Sequence, residues 1–454
     1  MLLLLAPLLA AQPNFIVIFA DDLGWGDLAS YGHPTIATPN LDRLAAEGQR
    51  WTNFYVGASV CTPSRAALLT GRLPIRSGMM SAKQRVLFPD SHEGLPASEI
   101  TIAEMLKKAG YRTGHAGKWH LGHLPQYLPT RNGFDYYFGI PYSNDMDPVN
   151  NPADAKARRA RFWNPQFEYW NVPLMRDEGI IERPADQRTI TKRYTEEAVK
   201  FIRENRGGPF FLYLAHTMVH VPLFRSKEFE GVSRRGMFGD AVEEIDWSVG
   251  QILGALDASD LARNTLVFFS SDNGPWLTYD DHGGSAGPLR MGKGSTWEGG
   301  MRVPGIFRQP GTVRPGVIRE IGATMDLLPT LAAMAGVKPP SDRTLDGYDI
   351  SGVLTGKSEK SPRNEVFFYR AAEIWAVRMG PWKAHYWTKS GYLDDPLLKH
   401  DPPLLFQLEH DPSEKYNVAA EHPDVIKQIA ALVERHRKTL PDALPDHLAA
   451  RGDD

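Results

Sequence analysis

The chain has 454 residues, of which 42% are apolar and 23% charged, ordinary proportions for a globular protein with ample material for a buried core. Lysine and arginine number 51 against 54 aspartates and glutamates, a formal net charge of −3. That balance argues against a nucleic-acid partner, which calls for a basic excess or stripe, and leaves an anionic small substrate open.

Met1 to Ala11 is an apolar run too short to span a bilayer and of signal-peptide length, though no Lys or Arg precedes it. A buried leading segment is the alternative. No later segment is long and apolar enough for a transmembrane anchor, so the expectation is an exported protein, periplasmic or secreted. Cys61 is the single cysteine, and no Asn-x-Ser/Thr acceptor occurs. Export without disulfides or N-glycans fits a bacterial periplasm better than an animal lysosome. A lone thiol in an oxidising compartment is a liability unless it is buried, reactive or converted.

Four apolar runs of strand length follow one another down the chain: Asn14 to Ala20, Tyr111 to Ala116, Pro209 to Ala215 and Thr265 to Ser270. None alternates, as expected of strands covered on both faces. Helical patterns lie between them at Leu41 to Glu47 (with Asn40 as a fair N-cap), Ile100 to Ala109, Thr195 to Asn205 and Ala241 to Leu256. Alternating strands and helices predict an α/β fold with a central, mostly parallel sheet. Ligands in such sheets bind at the carboxyl ends of the strands. Those ends carry Asp21-Asp22, Lys118 and His120, His216 and His220, and Asp272-Asn273-Gly274. Beyond the prolines at 339 and 340 the texture changes. Short strands at Glu365 to Tyr369, Ile374 to Met379 and Trp382 to Trp387, then a helix over Pro423 to Leu440, predict a smaller C-terminal α+β subdomain. The expected division is a leader over 1–11, a catalytic domain over 12–340 and this subdomain over 341–454.

Cys61-Thr62-Pro63-Ser64-Arg65-Ala66-Ala67-Leu68-Leu69-Thr70-Gly71-Arg72 reads as a helix with Pro63 near its start and Cys61 at its N-terminus, where free N–H groups favour anions. Asp21, Asp22, Asp272 and Asn273 offer hard oxygen ligands, suited to calcium or magnesium rather than zinc. Taken singly, the aspartate pair also reads as a cap and Asp272-Asn273-Gly274 as a tight turn. Arg158, Arg159 and Arg161, followed by Phe162, Trp163, Phe167, Tyr169 and Trp170, read as a packed flap or as a sugar subsite, the flap being favoured.

The twelve residues from Cys61 resemble the signature of the sulfatase family throughout. The likeness extends over Ala20 to Asp27, Gly117 to Gly122, Ser271 to Gly274 and Gly292 to Gly300, and Gly139 to Ser143 with His400 to Leu405 points to arylsulfatase A-like members. The resemblance implies an alkaline-phosphatase-like sandwich and hydrolysis of sulfate monoesters. It implies that Cys61 is converted to Cα-formylglycine by a separate maturation enzyme, and that calcium, rather than magnesium, is bound by Asp21, Asp22, residue 61, Asp272 and Asn273. One hydroxyl of the hydrated formylglycine attacks sulfur; the second expels sulfate from the sulfated enzyme. Arg65 and Lys118 are expected to hold the diol. Lys293 and His220 are expected on the sulfate oxygens and the departing alcohol, with Asp272 as base for the first step and His120 for the second. Ser143 and His400 are substrate-side candidates, and the substrate is a sulfated small molecule or saccharide. A phosphate or phosphonate ester hydrolase of the same superfamily, or an inactive glycan-binding relative, are the alternatives.

Overall fold

Asn14–Ala20 (β1) is buried at every position because both of its faces are covered by helices. The structure, a computed structural model, describes residues 12–448, so the leader expected over Met1 to Ala11 lies outside the described residues. Nine further strands join β1 in one sheet: β2 (Gln49–Tyr55), β3 (Arg112–Gly117), β4 (Tyr136–Gly139), β5 (Leu174–Arg176), β6 (Gly179–Glu182), β7 (Phe210–Ala215), β8 (Thr265–Ser271), β9 (Arg302–Arg308) and β10 (Gly316–Ala323). The order is β10-β2-β9-β8-β1-β7-β3-β4-β5-β6. The central block β8-β1-β7-β3-β4 is parallel throughout, while β9, β5 and β6 run antiparallel to their neighbours and β10 pairs parallel with β2.

Eight helices matter to the argument: α1 (Pro39–Ala46), α2 (Cys61–Thr70), α3 (Ile102–Lys108), α4 (Ala155–Trp163), α5 (Ile190–Glu204), α6 (Met237–Ala258), α7 (Leu327–Ala335) and α8 (Pro423–Arg437). Successive residues of β1 point to opposite faces. Phe15, Val17 and Phe19 pack with Leu68 and Leu69 of α2, Leu106 of α3 and Leu328 of α7 in one core. Ile16 and Ile18 pack with Leu44 of α1, Ile202 of α5 and Val249 of α6 in the other. Each such side chain contributes roughly 1.5–3 kcal/mol on burial. The start of α1 differs from expectation. It begins at Pro39, and the Asn40 and Leu41 N–H groups donate to the Asp246 carboxylate of α6 at 3.2 and 2.8 Å. A charged acceptor from the neighbouring helix thus takes the place of a local cap.

The C-terminal sheet is antiparallel, β11 (Glu365–Arg370), β12 (Glu373–Met379), β13 (Trp382–Thr388) and β14 (Leu398–Gln407) in that order, with α8 against β12 and β13. A buried ion network joins it to the large sheet. Lys383 of β13 donates to Glu298 at 2.9 Å and lies 3.1 Å from Glu414, all three side chains fully enclosed. Tyr55 of β2 donates to Glu298 at 2.5 Å, Arg302 reaches Glu298 at 3.3 Å, and Arg378 of β12 contacts the Tyr55 hydroxyl. Burial alone would raise the Glu298 carboxyl; Lys383, Arg302 and Arg378 outweigh it and hold the group below the usual carboxylate range.

Removing one member of such a network strands the rest, at a cost of about 3–5 kcal/mol. Lys383→Met is therefore expected to lower the thermal unfolding midpoint sharply. Because the folded-state carboxyl of Glu298 lies below its unfolded value, its contribution is complete above that value, about 4.3, and is lost as pH falls further. The difference in midpoint between wild type and variant should shrink in that acid range; a pH-independent difference, or none, would contradict the assignment.

Candidate active site

The parallel register aligns four strand ends: Ala20 with Ser271, Phe19 with Ala215, and Ala215 with Gly117. Asp21, Lys118, His216 and Asp272 are the residues that follow. The chain turns hard here, and Asp22 and His120 adopt φ of 60° and 59°. Non-glycine residues in the left-handed region are uncommon and cluster where a site demands them. The Asp22 N–H donates to Asp272 at 3.1 Å and the Leu23 N–H to Ser271 at 2.9 Å, locking the first strand end to the fourth.

Cys61 opens α2, a helix buried at all ten positions, and its Sγ lies 3.6 Å from Asp21 Oδ1. Ligand atoms of Asp21, Asp22, Cys61 and His220 all lie within 4.8 Å of one another. Arg65, one turn into α2, directs its fork at the carboxylates: Nε and Nη2 donate to Asp272 Oδ2 at 3.1 and 2.9 Å, Nη2 to Asp21 at 3.1 Å, and Nη1 to the Lys118 carbonyl at 3.1 Å. Its charge is thus committed to the acids beneath residue 61 rather than left free to face a diol. Lys118 contacts Asp21 and donates to Ser143 Oγ at 3.1 Å. Lys293 donates to Asp22 at 2.8–2.9 Å, and its Nζ stands 4.2 Å over the Trp276 ring.

Burial would raise Asp21, yet Lys118 and Arg65 hold it well below the ordinary carboxylate range. Burial, with Asp21 and Asp272 adding to it, pushes Asp22 up to about 7 against the pull of Lys293. Asp272 is raised by burial and by Asp21. Burial and Asp21 also raise the Cys61 thiol well above its ordinary value, which keeps an unmodified thiol protonated and a poor nucleophile.

The histidines divide by their partners. His120 Nε2 pairs with the Leu87 carbonyl at 2.9 Å, so that nitrogen carries the proton. Its Nδ1 is buried without a partner among the described residues and is left as a base. Burial and Lys118 keep the ring neutral. His220 Nδ1 likewise donates to the Val221 carbonyl at 2.6 Å, leaving Nε2 as a lone pair 3.8 Å from Asp22. In that tautomer His220 accepts or ligates, and must gain a proton before it can donate one. His216 turns away to Ser248 on α6 at 3.2 Å. His400 does not join the cluster either. Its Nε2 pairs with Thr388 at 2.8 Å, and it lines a separate cleft of about 500 Å³ between β13, β14 and α8. In the Arg158–Arg161 region Trp163 stacks on Tyr279 at 5.5 Å and Arg158 and Arg161 donate to carbonyls of the preceding loop, while Arg158, Arg159, Arg161, Phe162 and Trp170 line a cavity of about 350 Å³, an arrangement compatible with either a flap or a subsite.

The donor set fits a hard divalent cation. Three carboxylates converge, and Asn273 Oδ1 is buried with no hydrogen-bond partner among the described residues, an acceptor whose isolation is costly unless a cation satisfies it. Sequence reasoning did not single out Trp276, which touches both Lys293 and the His220 ring at 5.3 Å. Its place three residues after Asn273 was the available signal.

An alkaline-phosphatase-like sheet with a buried helix-terminal residue facing an acidic cation pocket defines a class of ester hydrolase, and comparison narrows it. A profile described as Sulfatase matches residues 13–337, and one described as the C-terminal region of aryl-sulfatase matches residues 361–450. The chain belongs to the sulfatase family and is a sulfuric ester hydrolase. It is 44% identical to arylsulfatase A of Bos taurus, over 93% of this chain and 88% of the relative. N-acetylgalactosamine-6-sulfatase of Homo sapiens is 41% identical, covering 95% of this chain and 87% of its own. Among solved structures, the PsFucS1 sulfatase from Pseudoalteromonas sp. superposes with a TM-score of 0.82 at 30% identity, over 94% of this chain and 90% of that one. The family uses a metal ion and formylglycine.

Arg65 neutralises two buried carboxylates at once. Arg65→Met is expected to lower the unfolding midpoint by the equivalent of about 3–5 kcal/mol. Arg65→Lys should recover little, since one ammonium cannot reproduce the fork. Full recovery by lysine, read by thermal denaturation, would reject the bidentate clamp.

Proposed function

We propose that the enzyme removes sulfate from a sulfated saccharide, with residue 61 acting as formylglycine after conversion by a maturation enzyme, and with calcium as the cation. The observation that carries this reading is the only cysteine at the N-terminus of a fully buried helix, against Asp21 and among Lys118, His220 and Lys293. A hexosamine-6-sulfatase among the relatives supports the saccharide.

Asp21, Asp22, Asp272 and Asn273, with the side chain of residue 61, would hold the cation, which supplies charge to offset the sulfate oxygens and to acidify an attacking hydroxyl. Hydrated formylglycine offers one hydroxyl to take up the sulfuryl group and a second to expel it. Lys118 and Lys293 are the chain's own cations for sulfate oxygens, acting in an enclosed site where such contacts are strong. Arg65 acts from below, keeping Asp21 and Asp272 ionised and in register. Asp272 is the base for the attack. His120, neutral with a bare Nδ1, takes the proton when the second hydroxyl collapses to the aldehyde. The departing alcohol receives its proton from the Lys293 ammonium, with His220, held neutral by burial and by Lys293, positioned beside it as an acceptor. Ser143, hydrogen-bonded to Lys118, steadies that ammonium toward the substrate.

Three measurements test this. The peptide containing residue 61 should have the mass of the aldehyde or its hydrate. Cys61→Ala should lose turnover by a factor on the order of 10⁶ while keeping its unfolding midpoint, the scale seen when a nucleophile is deleted; retained sulfate release would end the reading. Chelation should abolish activity and lower the unfolding midpoint, with calcium restoring both better than magnesium. Restoration by magnesium alone would correct the metal.

A further inference from the structure

Between the first turn of α2 and the C-terminal sheet lies a cavity of about 240 Å³. Val60 and Pro63, on either side of Cys61, form part of its floor, and two arginines line it. Arg85 comes from the loop between α2 and α3; Arg370 ends β11. Among the described residues neither forms an ion pair with a carboxylate. Arg85 donates to the Gly294 carbonyl at 2.6 Å and lies 4.5 Å over the Tyr392 ring. Arg370 lies 4.6 Å over Trp375, and its Nη1 is buried with no hydrogen-bond partner among the described residues. The nearby Asp395 is committed to the Ser390 N–H and hydroxyl.

Two guanidinium groups sharing one cleft repel each other. Burial, and then Arg85, push Arg370 down to about 10, so the cleft favours an anion that would relieve both. The same wall continues to the reacting centre. Tyr392 packs on Trp276 at 4.9 Å, Trp276 carries the Lys293 ammonium, and Gly391 lies so close that a Cβ there would meet the Lys293 carbonyl at 2.6 Å.

We propose that Arg370 and Arg85 form a subsite for a second oxyanion, a carboxylate or sulfate on the sugar that bears the scissile sulfate or on the sugar joined to it. The planar fork of arginine suits either group. This rests on the saccharide sulfatase reading above and adds that the preferred substrate is at least doubly anionic. It also gives the C-terminal sheet a part in substrate choice.

The test uses the matured enzyme with four substrates: p-nitrophenyl sulfate, a monosulfated N-acetylhexosamine, its disulfated form, and a disaccharide joining the monosulfated sugar to a uronate. Wild type is expected to favour a dianionic saccharide over the monosulfated one in kcat/KM. Arg370→Gln should reduce that preference about 10–100-fold, mainly through KM, the scale of a charge-assisted hydrogen bond. Arg370→Lys, with the charge kept and the fork lost, should recover part of it. Whichever dianionic substrate responds identifies carboxylate or sulfate. No preference in wild type, or one unchanged in Arg370→Gln at an unaltered unfolding midpoint, overturns the subsite while leaving the sulfatase reading intact. Failure to release sulfate from any of the four, p-nitrophenyl sulfate included, overturns the underlying reading and the subsite with it.

Discussion

Three carboxylates share a space from which water is excluded, and the cost of keeping them there organises the rest of the molecule. Buried charge is tolerated only when paired and hydrogen-bonded. Asp21, Asp22 and Asp272 are met from three directions by Arg65, Lys118 and Lys293, each from a different part of the chain. Helix α2 must bring Arg65 beneath the acids, which sets Cys61 at its mouth. The strand ends must align, which the parallel pairing of β8, β1, β7 and β3 ensures. The cluster that results carries opposed charges which a cation and an anion arriving together can re-pair.

The second layer of organisation is the junction between sheets. Glu298 belongs to the same loop as Lys293, and its carboxylate receives Lys383 from β13, Tyr55 from β2 and Arg302 from β9. Glu414 closes the network by accepting the Glu298 N–H at 2.7 Å. The loop that presents Lys293 is therefore held from both sheets at once.

How much of this was legible in the residues alone follows from where polar atoms interrupt the pattern. β1, β7 and β8 read directly because they are covered on both faces and carry unbroken apolar runs. β2 escaped because Gln49, Arg50, Thr52 and Asn53 break its run; Gln49 is buried all the same, donating to carbonyls at 353 and 354. β14 escaped because Pro402 and Pro403 sit inside it. The charged cluster at the strand ends was legible because its members stand directly after those three readable strands or inside a specific motif. What the chain could not reveal by pattern was partnership. That Arg65 grips aspartates, that His120 and His220 each spend a nitrogen on a carbonyl, and that His400 sits with Thr388 depend on contacts between distant segments. Arg85, Arg370 and Tyr392 have no motif and meet only after folding.

The Lys383–Glu298–Glu414 junction has a consequence for how such a scaffold can be repurposed. The C-terminal sheet supplies both the rivet under the Lys293 loop, from β13, and part of the wall beside the site, from the turns at Arg370 and Tyr392. These lie on separate stretches of backbone. The turn at Arg370 can be exchanged at little cost to the chemistry, whereas the turn at Tyr392 packs on Trp276 and the Lys293 backbone, so replacing it, or the sheet wholesale, would loosen the reactive loop along with the selectivity.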